Sequence, residues 1–260
     1  MEEGSPDAHD ETLYDRSGSE YWRNPSYNRF RFHRLDLTPL ALKDFIRPLN
    51  LFARSRVLIP AIAYALVFTY ANTAITVELP QQFGKKFHFN AQQIGLQYIS
   101  VIIGSGLGEQ LSGPLSDLFL NRYSKRVGHK HPAHRLWISY FGFLTVFVGI
   151  IVWGVQLNKA KEMQWNVTPL IGAGISNFGN QVITTTLITF SVDNYRDQAA
   201  DVGVFINVIR QTWAFIGPFY FPIMYDSLGL VGGSGLLVGL VALFGLTSVI
   251  LIHYRDRKYM

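Results

Sequence analysis

Residues 57–79 read VLIPAIAYALVFTYANTAITVEL, with no charge before Glu78. As a helix rising 1.5 Å per residue, this stretch reaches ~34 Å, enough to cross the hydrocarbon core of a bilayer. Five more apolar runs follow, at about 94–112, 136–156, 167–191, 202–224 and 231–252. The pattern predicts an all-α membrane protein with six transmembrane helices. The connections 80–93, 113–135, 157–166, 192–201 and 225–230 leave no room for a domain outside the bilayer. The organisation expected is a cytoplasmic arm over 1–56, a transmembrane domain over 57–254 and a short tail over 255–260.

Orientation follows from the positive charges, which collect on the cytoplasmic side of a membrane. With the N-terminus inside, the cytoplasmic segments 1–56, 113–135, 192–201 and 253–260 carry nine, five, one and three Lys/Arg, eighteen in all. The outer loops carry four: Lys85, Lys86, Lys159 and Lys161. Both termini are therefore expected in the cytoplasm. This placement also accounts for the pI of 9.4 without nucleic acid.

Residues 1–20 hold seven acids and one base, Arg16, the opposite of a signal peptide's basic start. They read as a polar, disordered arm, and the first span is left to direct insertion. Residues 21–56 turn basic, with eight bases against Asp36 and Asp44. Thr38-Pro39 fits a helix start ahead of Leu40, Leu42, Phe45, Ile46 and Leu49. The segment reads either as a solvated linker or as a surface helix drawn to an anionic leaflet.

The chain has no cysteine, which excludes disulfides and thiolate metal sites. The histidines sit mostly in the arm and loops, His129, His131 and His134 among them, and read as solvated side chains. There is no HExxH, no Walker loop and no triad. Neither catalysis nor a metal or cofactor is expected. Asn166-Val167-Thr168 matches a glycosylation acceptor but lies at a helix mouth, so it is read as chance.

Polar side chains inside a bilayer are costly unless they face protein or water, so they mark lining helices. The first span carries Thr69, Asn72, Thr73 and Thr76 on one face, with Glu78 beyond. The second carries Gln97, Ser105, Glu109 and Ser112. The fourth carries Asn177, Asn180, Gln181 and Thr184, and the fifth Asn207, Arg210 and Gln211. The third and sixth spans lack such stripes. The order of two lining helices and one outer helix, given twice, predicts two three-helix repeats of the kind found in transporters. The simpler reading is that amides and hydroxyls tie helices together. Arg210 needs a partner, with Glu109, Asp193 and Asp117 all open. It reads either as a substrate or gating charge or as one side of a structural ion pair. Gly104-xxx-Gly108 and Gly235-xxx-Gly239 are expected to be close-packing faces. Gly217-Pro218 should loosen the fifth span.

One connection carries a resemblance. Gly113-Pro-Leu-Ser-Asp117 ends the second span, and Asn121-Arg122-Tyr123-Ser124-Lys125-Arg126 follows. This resembles the cytoplasmic signature loop of the major facilitator superfamily: glycine, three residues, an acid, then bases. Here Leu118–Leu120 separate the acid from the bases, which leaves Arg122, Lys125 and Arg126 all open as partners of Asp117. Ser191-Val-Asp193-Asn-Tyr195, Asn207-x-x-Arg210 and Phe219-Tyr220-Phe221 resemble the fungal drug:proton antiporter-like branch.

The resemblance covers about 21–255 and fits the C-terminal six-helix half of a twelve-helix transporter, with 1–56 as the central linker. It implies alternating access by a secondary transporter, without catalysis, in the plasma membrane. It implies a small organic solute as cargo, protons as possible co-substrate, and an N-terminal six-helix half missing from this chain. Asn72, Thr76, Gln97, Asn177, Gln181, Asn207 and Arg210 would line the cavity. Gly113, Asp117, Arg122, Lys125 and Arg126 would gate it, and Glu78, Glu109 and Asp193 are the proton-coupling candidates. The rival readings are a six-helix channel or regulatory membrane protein, and an inert truncated fragment. A pore needs rings of like residues or a re-entrant loop, which these connections do not offer.

Overall fold

The computed structural model describes residues 46–127 and 132–257. The acidic arm, the basic segment up to residue 45 with its expected surface helix, His129 and His131 lie outside the described residues. Those described belong to one compact unit, Lys43–Met260.

Every regular element among the described residues is helical. A 3₁₀ turn, Arg47–Ala53, leads into α1, Ser55–Phe87, whose middle is a π turn at Phe68–Thr73. Asn90 then starts α2, Ala91–Gln97, through a capping box: its side chain accepts from Gln93 N–H while Gln93 Oε1 accepts from Asn90 N–H. After Tyr98 comes α3, Ile99–Val127. The others are α4 (Leu136–Lys159), α5 (Thr168–Asn194), α6 (Ala199–Leu240), a π turn (Val241–Leu246) and α7 (Thr247–Arg257).

Three stretches are long and apolar enough to cross a membrane: Ser55–Phe87, Pro132–Lys159 and Arg196–Asp256. The expected second and fourth spans fall within helices, but α3 and α5 do not reach that apolarity. Their amides, hydroxyls and glycines dilute it. The expected loop at 113–127 is a continuation of α3. Hydropathy marks where a helix leaves an apolar environment, not where its backbone hydrogen bonds end.

The 61-residue stretch Arg196–Asp256 is not one rod. Gly229 breaks it with φ 70° and ψ 171°, a conformation open essentially to glycine. A methyl on Gly233 would stand 2.7 Å from the Tyr225 ring, a contact a straight helix cannot make across eight residues. The ends confirm the reversal: Arg47 pairs with Asp201 at 2.9 Å and Arg56 with the fully buried Asp256 at 3.2 Å, both near the start of α1. Asp226 pairs with Lys85 near its far end, at 3.2 Å. Gly229 has open space around it, so alanine there costs conformation only. Gly229→Ala should lose about 1–3 kcal/mol in thermal unfolding. Gly239→Ala, helical and also in open space, should be neutral or slightly stabilising. Equal behaviour of the two variants would contradict the turn.

Glycine sets the tightest helix pairs. A methyl on Gly104 would overlap the Gly174 backbone, and one on Gly108 would stand 2.8 Å from the Phe178 carbonyl, so the expected Gly104/Gly108 face packs α3 on α5. The Gly235/Gly239 face differs from expectation, since nothing lies within 4 Å of either position. A second seam joins α4 and α5 through Gly142, Gly149, Gly172 and Gly179. At one end the core holds Phe83 stacked on Trp153, with centroids 6.0 Å apart and planes at 15°. Large apolar side chains point outward along α3 and α6, with Ile102, Phe215 and Ile223 each 66–70% exposed, as suits a surface facing lipid or another apolar body.

Candidate functional site

Two polar centres sit at different depths. The first is at the rim where α5 ends and α4 begins, beside Ser116 and Asp117 within α3. Arg135, the residue before α4, donates through Nη1 to Ser116 Oγ (3.1 Å) and to Asp117 Oδ1 (2.7 Å). Its Nε stands 3.0 Å from Asp193 Oδ2, close enough for an ion pair though not aligned as a hydrogen bond. Arg196 approaches the other Asp193 oxygen at 3.7 Å. Arg135 thus holds α3, well short of its end, and the end of α5 against the start of α4.

Asp117 therefore pairs with Arg135 rather than with Arg122 or Lys125, both exposed and without an ion pair among the described residues. The reason is the helix. Within a continuous α3, Asp117 faces Leu120 and Asn121 at i+3 and i+4, while Arg122 and Lys125 project elsewhere. The Arg126 side chain lies outside what is described. Gly113 is half-buried, with open space around it.

The second centre is the π turn of α1. A π turn widens the backbone, and here Thr73 Oγ1 caps the Phe68 carbonyl at 3.4 Å. Phe68 and Tyr64 present their rings to Arg210 of α6, whose guanidinium carbon lies 4.4 Å and 5.9 Å from the two centroids. Arg210 Nη2 donates to Asn207 Oδ1 at 3.1 Å. Among the described residues Arg210 has no carboxylate partner, and Glu109 is exposed on α3. The aromatic pair takes the place of the expected acid, since a ring face attracts a cation most strongly where water is scarce.

The remaining cavity candidates divide. Asn72 and Thr76 follow Phe68 on the same face of α1, and Thr76 Oγ1 donates to Asn72 Oδ1 at 3.1 Å. Asn207 and Arg210 lie where α6 meets the π turn of α1, and Asn72 and Thr76 are half-buried on α1. Asn177 is fully buried, its Nδ2 donating to the Ala173 carbonyl at 2.9 Å. Gln181 packs on Gly108 in the α3–α5 seam. Gln97 is tied at the opposite rim, donating to the Gln93 carbonyl and accepting from Trp165 Nε1. Sequence reasoning missed Phe68, Tyr64 and Ser116 in these centres. Phe68 lies four residues before Asn72 on the stripe, a spacing that offered a clue.

Of the three acids singled out, Asp193 is engaged by Arg135 and Glu109 is exposed. Glu78 is fully buried: Oε2 accepts from Gln82 Nε2 at 2.8 Å, and Oε1 has no protein partner.

The Major Facilitator Superfamily model matches residues 12–218. A probable efflux pump, mfs2, of Aspergillus flavus is 29% identical over 201 residues, 75% of this chain and 46% of that protein. The MFS-type transporter penM of Penicillium rubens is 27% identical, over 84% of this chain and 42% of that protein. A probable drug/proton antiporter, YHK8, of Saccharomyces cerevisiae is 27% identical, over 75% of this chain and 37% of that protein. The chain thus spans less than half the length of these fungal relatives. No solved structure matches. The family match, the kinship with fungal efflux pumps and antiporters and the apolar helices agree: the chain is an integral membrane protein of the Major Facilitator Superfamily.

Proposed function

We propose that this chain is the C-terminal six-helix half of a secondary transporter that moves a small organic solute by alternating access. The observation that carries the reading is the meeting of α6 with the π turn of α1, where Arg210, bonded to the exposed Asn207, lies over the Phe68 and Tyr64 rings; Asn72 and Thr76 follow on α1 as the other candidates for this lining. The Gly229 reversal and the polar α3 and α5 support six crossings, arranged as two three-helix repeats. In this reading 1–56 is a cytoplasmic arm, 57–254 the transmembrane domain and 255–260 a tail. Both termini are cytoplasmic, and the membrane is the plasma membrane.

A second six-helix unit closes the site. The chain's coverage of less than half of each relative supports that partner. Asn177, Gln181 and Gln97 remain cavity candidates in the assembled transporter, and Gly113, Asp117, Arg122, Lys125 and Arg126 form the gate region with Arg135 as its tie. Protons drive the exchange through Glu78, which combines burial with an oxygen free of protein partners. Glu109 and Asp193 rank behind it.

Liposome flux driven by a proton gradient tests the reading. The chain alone should transport nothing, and co-reconstitution with an N-terminal six-helix unit of a fungal antiporter should give gradient-dependent uptake. Passive ion conduction by the chain alone would favour a channel, and no flux in either case an inert fragment. In the assembled protein, Arg210→Ala should lower transport at least about tenfold, equivalent to about 1.4 kcal/mol. Arg210→Lys should retain part of it, because an ammonium still binds a ring face. Unchanged flux in a folded Arg210→Ala protein would remove Arg210 from the site.

A further inference from the structure

Beyond Glu78, Tyr225 and Ser234 are buried polar groups near the Lys85–Asp226 rim that lack an aligned protein partner. Tyr225, 3% exposed, lies over Gly233 beside Ser234, 2% exposed, and the pairing of its neighbour Asp226 with Lys85 brings it to the end of α1 that holds the fully buried Glu78. The Tyr225 and Ser234 hydroxyls are neighbours, yet neither is aligned for a hydrogen bond to protein, and Glu78 Oε1 has none. The three residues come from α1, from α6 just before the Gly229 turn and from α6 just after it. Two glycines shape the place: the Tyr225 ring lies over Gly233, and the Ser234 hydroxyl occupies the space a methyl on Gly154 would fill.

Leaving three buried polar atoms unpartnered costs about 1–3 kcal/mol each. A buried water makes about three hydrogen bonds, to groups of this kind. A carboxyl oxygen and two hydroxyls supply both donors and acceptors, which suits water better than a metal ion. We propose that Glu78, Tyr225 and Ser234 bind one ordered water, and that this water links Glu78 to the rim at Lys85 and Asp226. The charged groups around Glu78 are Lys85 on its own helix and Asp226 on α6, with Gln82 hydrogen-bonded to it. A proton arriving from bulk water at the rim joins the bound water, which releases one of its own protons to Glu78 Oε1. The reverse sequence returns it.

Only the proton transfer rests on the reading of Glu78 as the proton carrier. The water is tested separately, by radiolytic hydroxyl-radical labelling of the full chain in nanodiscs. Radicals formed from bound water oxidise side chains that bulk solvent does not reach. Tyr225 should be oxidised several-fold faster than Phe221, which is fully buried on the same helix. In Glu78→Leu, which removes the carboxyl anchor, Tyr225 labelling should fall to the Phe221 level. Labelling of Tyr225 no faster than Phe221 in the wild-type chain would overturn the proposal, as would a rate unchanged in folded Glu78→Leu. If that variant does not fold, the wild-type comparison decides. Labelling without gradient-driven flux in the assembled protein would keep the water and refute the proton reading.

Discussion

Gly149→Leu should abolish folded protein. A methyl at this position already falls within 2.6 Å of the Ser176 Cα, on the backbone of α5. Backbone cannot turn aside as a flexible side chain does. The neighbouring positions are as tight: a methyl on Gly172 would stand 2.5 Å from the Trp153 backbone nitrogen, and one on Gly179 2.6 Å from the Gly142 carbonyl oxygen. Glycines seven residues apart on each helix thus bring α4 and α5 close along their length. Between helices in lipid, attraction comes from packing and hydrogen bonds rather than water exclusion, so separating the backbones removes most of it. Overpacking typically costs about 1–3 kcal/mol and more when backbone must move, against a total stability of about 5–15 kcal/mol. Gly149→Ala should lose about 3 kcal/mol, and leucine should exceed what the fold tolerates. Fluorescence-detected size exclusion of the tagged chain reads the outcome. Gly235→Leu, in open space, is the control and should elute as wild type. Loss of folded protein in both variants would show a general intolerance of bulk rather than this seam.

The same glycines show what the sequence could and could not disclose. Gly104 and Gly108 sit four apart, a spacing that marks a packing face, and they pack. Gly235 and Gly239 share that spacing and face open space, because spacing names a face without naming what meets it. The seam at Gly142, Gly149, Gly172 and Gly179 went unread because its seven-residue interval spreads over two spans.

Long-range order was more legible than contacts. The expected 57–79 and 136–156 cores lie within Ser55–Phe87 and Pro132–Lys159, and 202–224 and 231–252 lie on either side of Gly229. Apolar runs record the solvent around a helix, and that is a local property. Sequence leaves the partner of Asp117 open among Arg122, Lys125 and Arg126, because a polar connection does not fix where its side chains project, and the structure pairs it with Arg135. As a helix, this connection fixes Asp117 away from them. The π turn that begins at Phe68 has no residue that announces it, so only the spacing of Phe68 before Asn72 hinted at an aromatic partner for Arg210.

Arg135→Ala should destabilise the protein chiefly through one of its two ion-pair arms. Arg135 is 13% exposed and stands between Asp193, at 19%, and Asp117, at 61%. The two arms differ in worth. The Asp117 arm faces solvent and should contribute about 0–1 kcal/mol. The Asp193 arm is largely shielded, and removing one member of a buried pair costs about 3–5 kcal/mol by stranding the other charge. Partial exposure and Arg196 at 3.7 Å soften this, so a loss of about 2–3 kcal/mol is expected for Arg135→Ala. Asp117→Asn should lose under about 1 kcal/mol. Arg135→Lys keeps the charge but not the fork that reaches Ser116, Asp117 and Asp193 together, and should fall between. Pairing Arg135→Ala with Asp193→Asn should recover stability relative to Arg135→Ala alone, since the stranded carboxylate is gone. Thermal unfolding of the four proteins in one detergent gives the comparison. If Asp117→Asn cost as much as Arg135→Ala, the weight would lie on the exposed arm. If the double variant recovered nothing, Arg135 would act by packing against α3 and the end of α5 rather than by its charge.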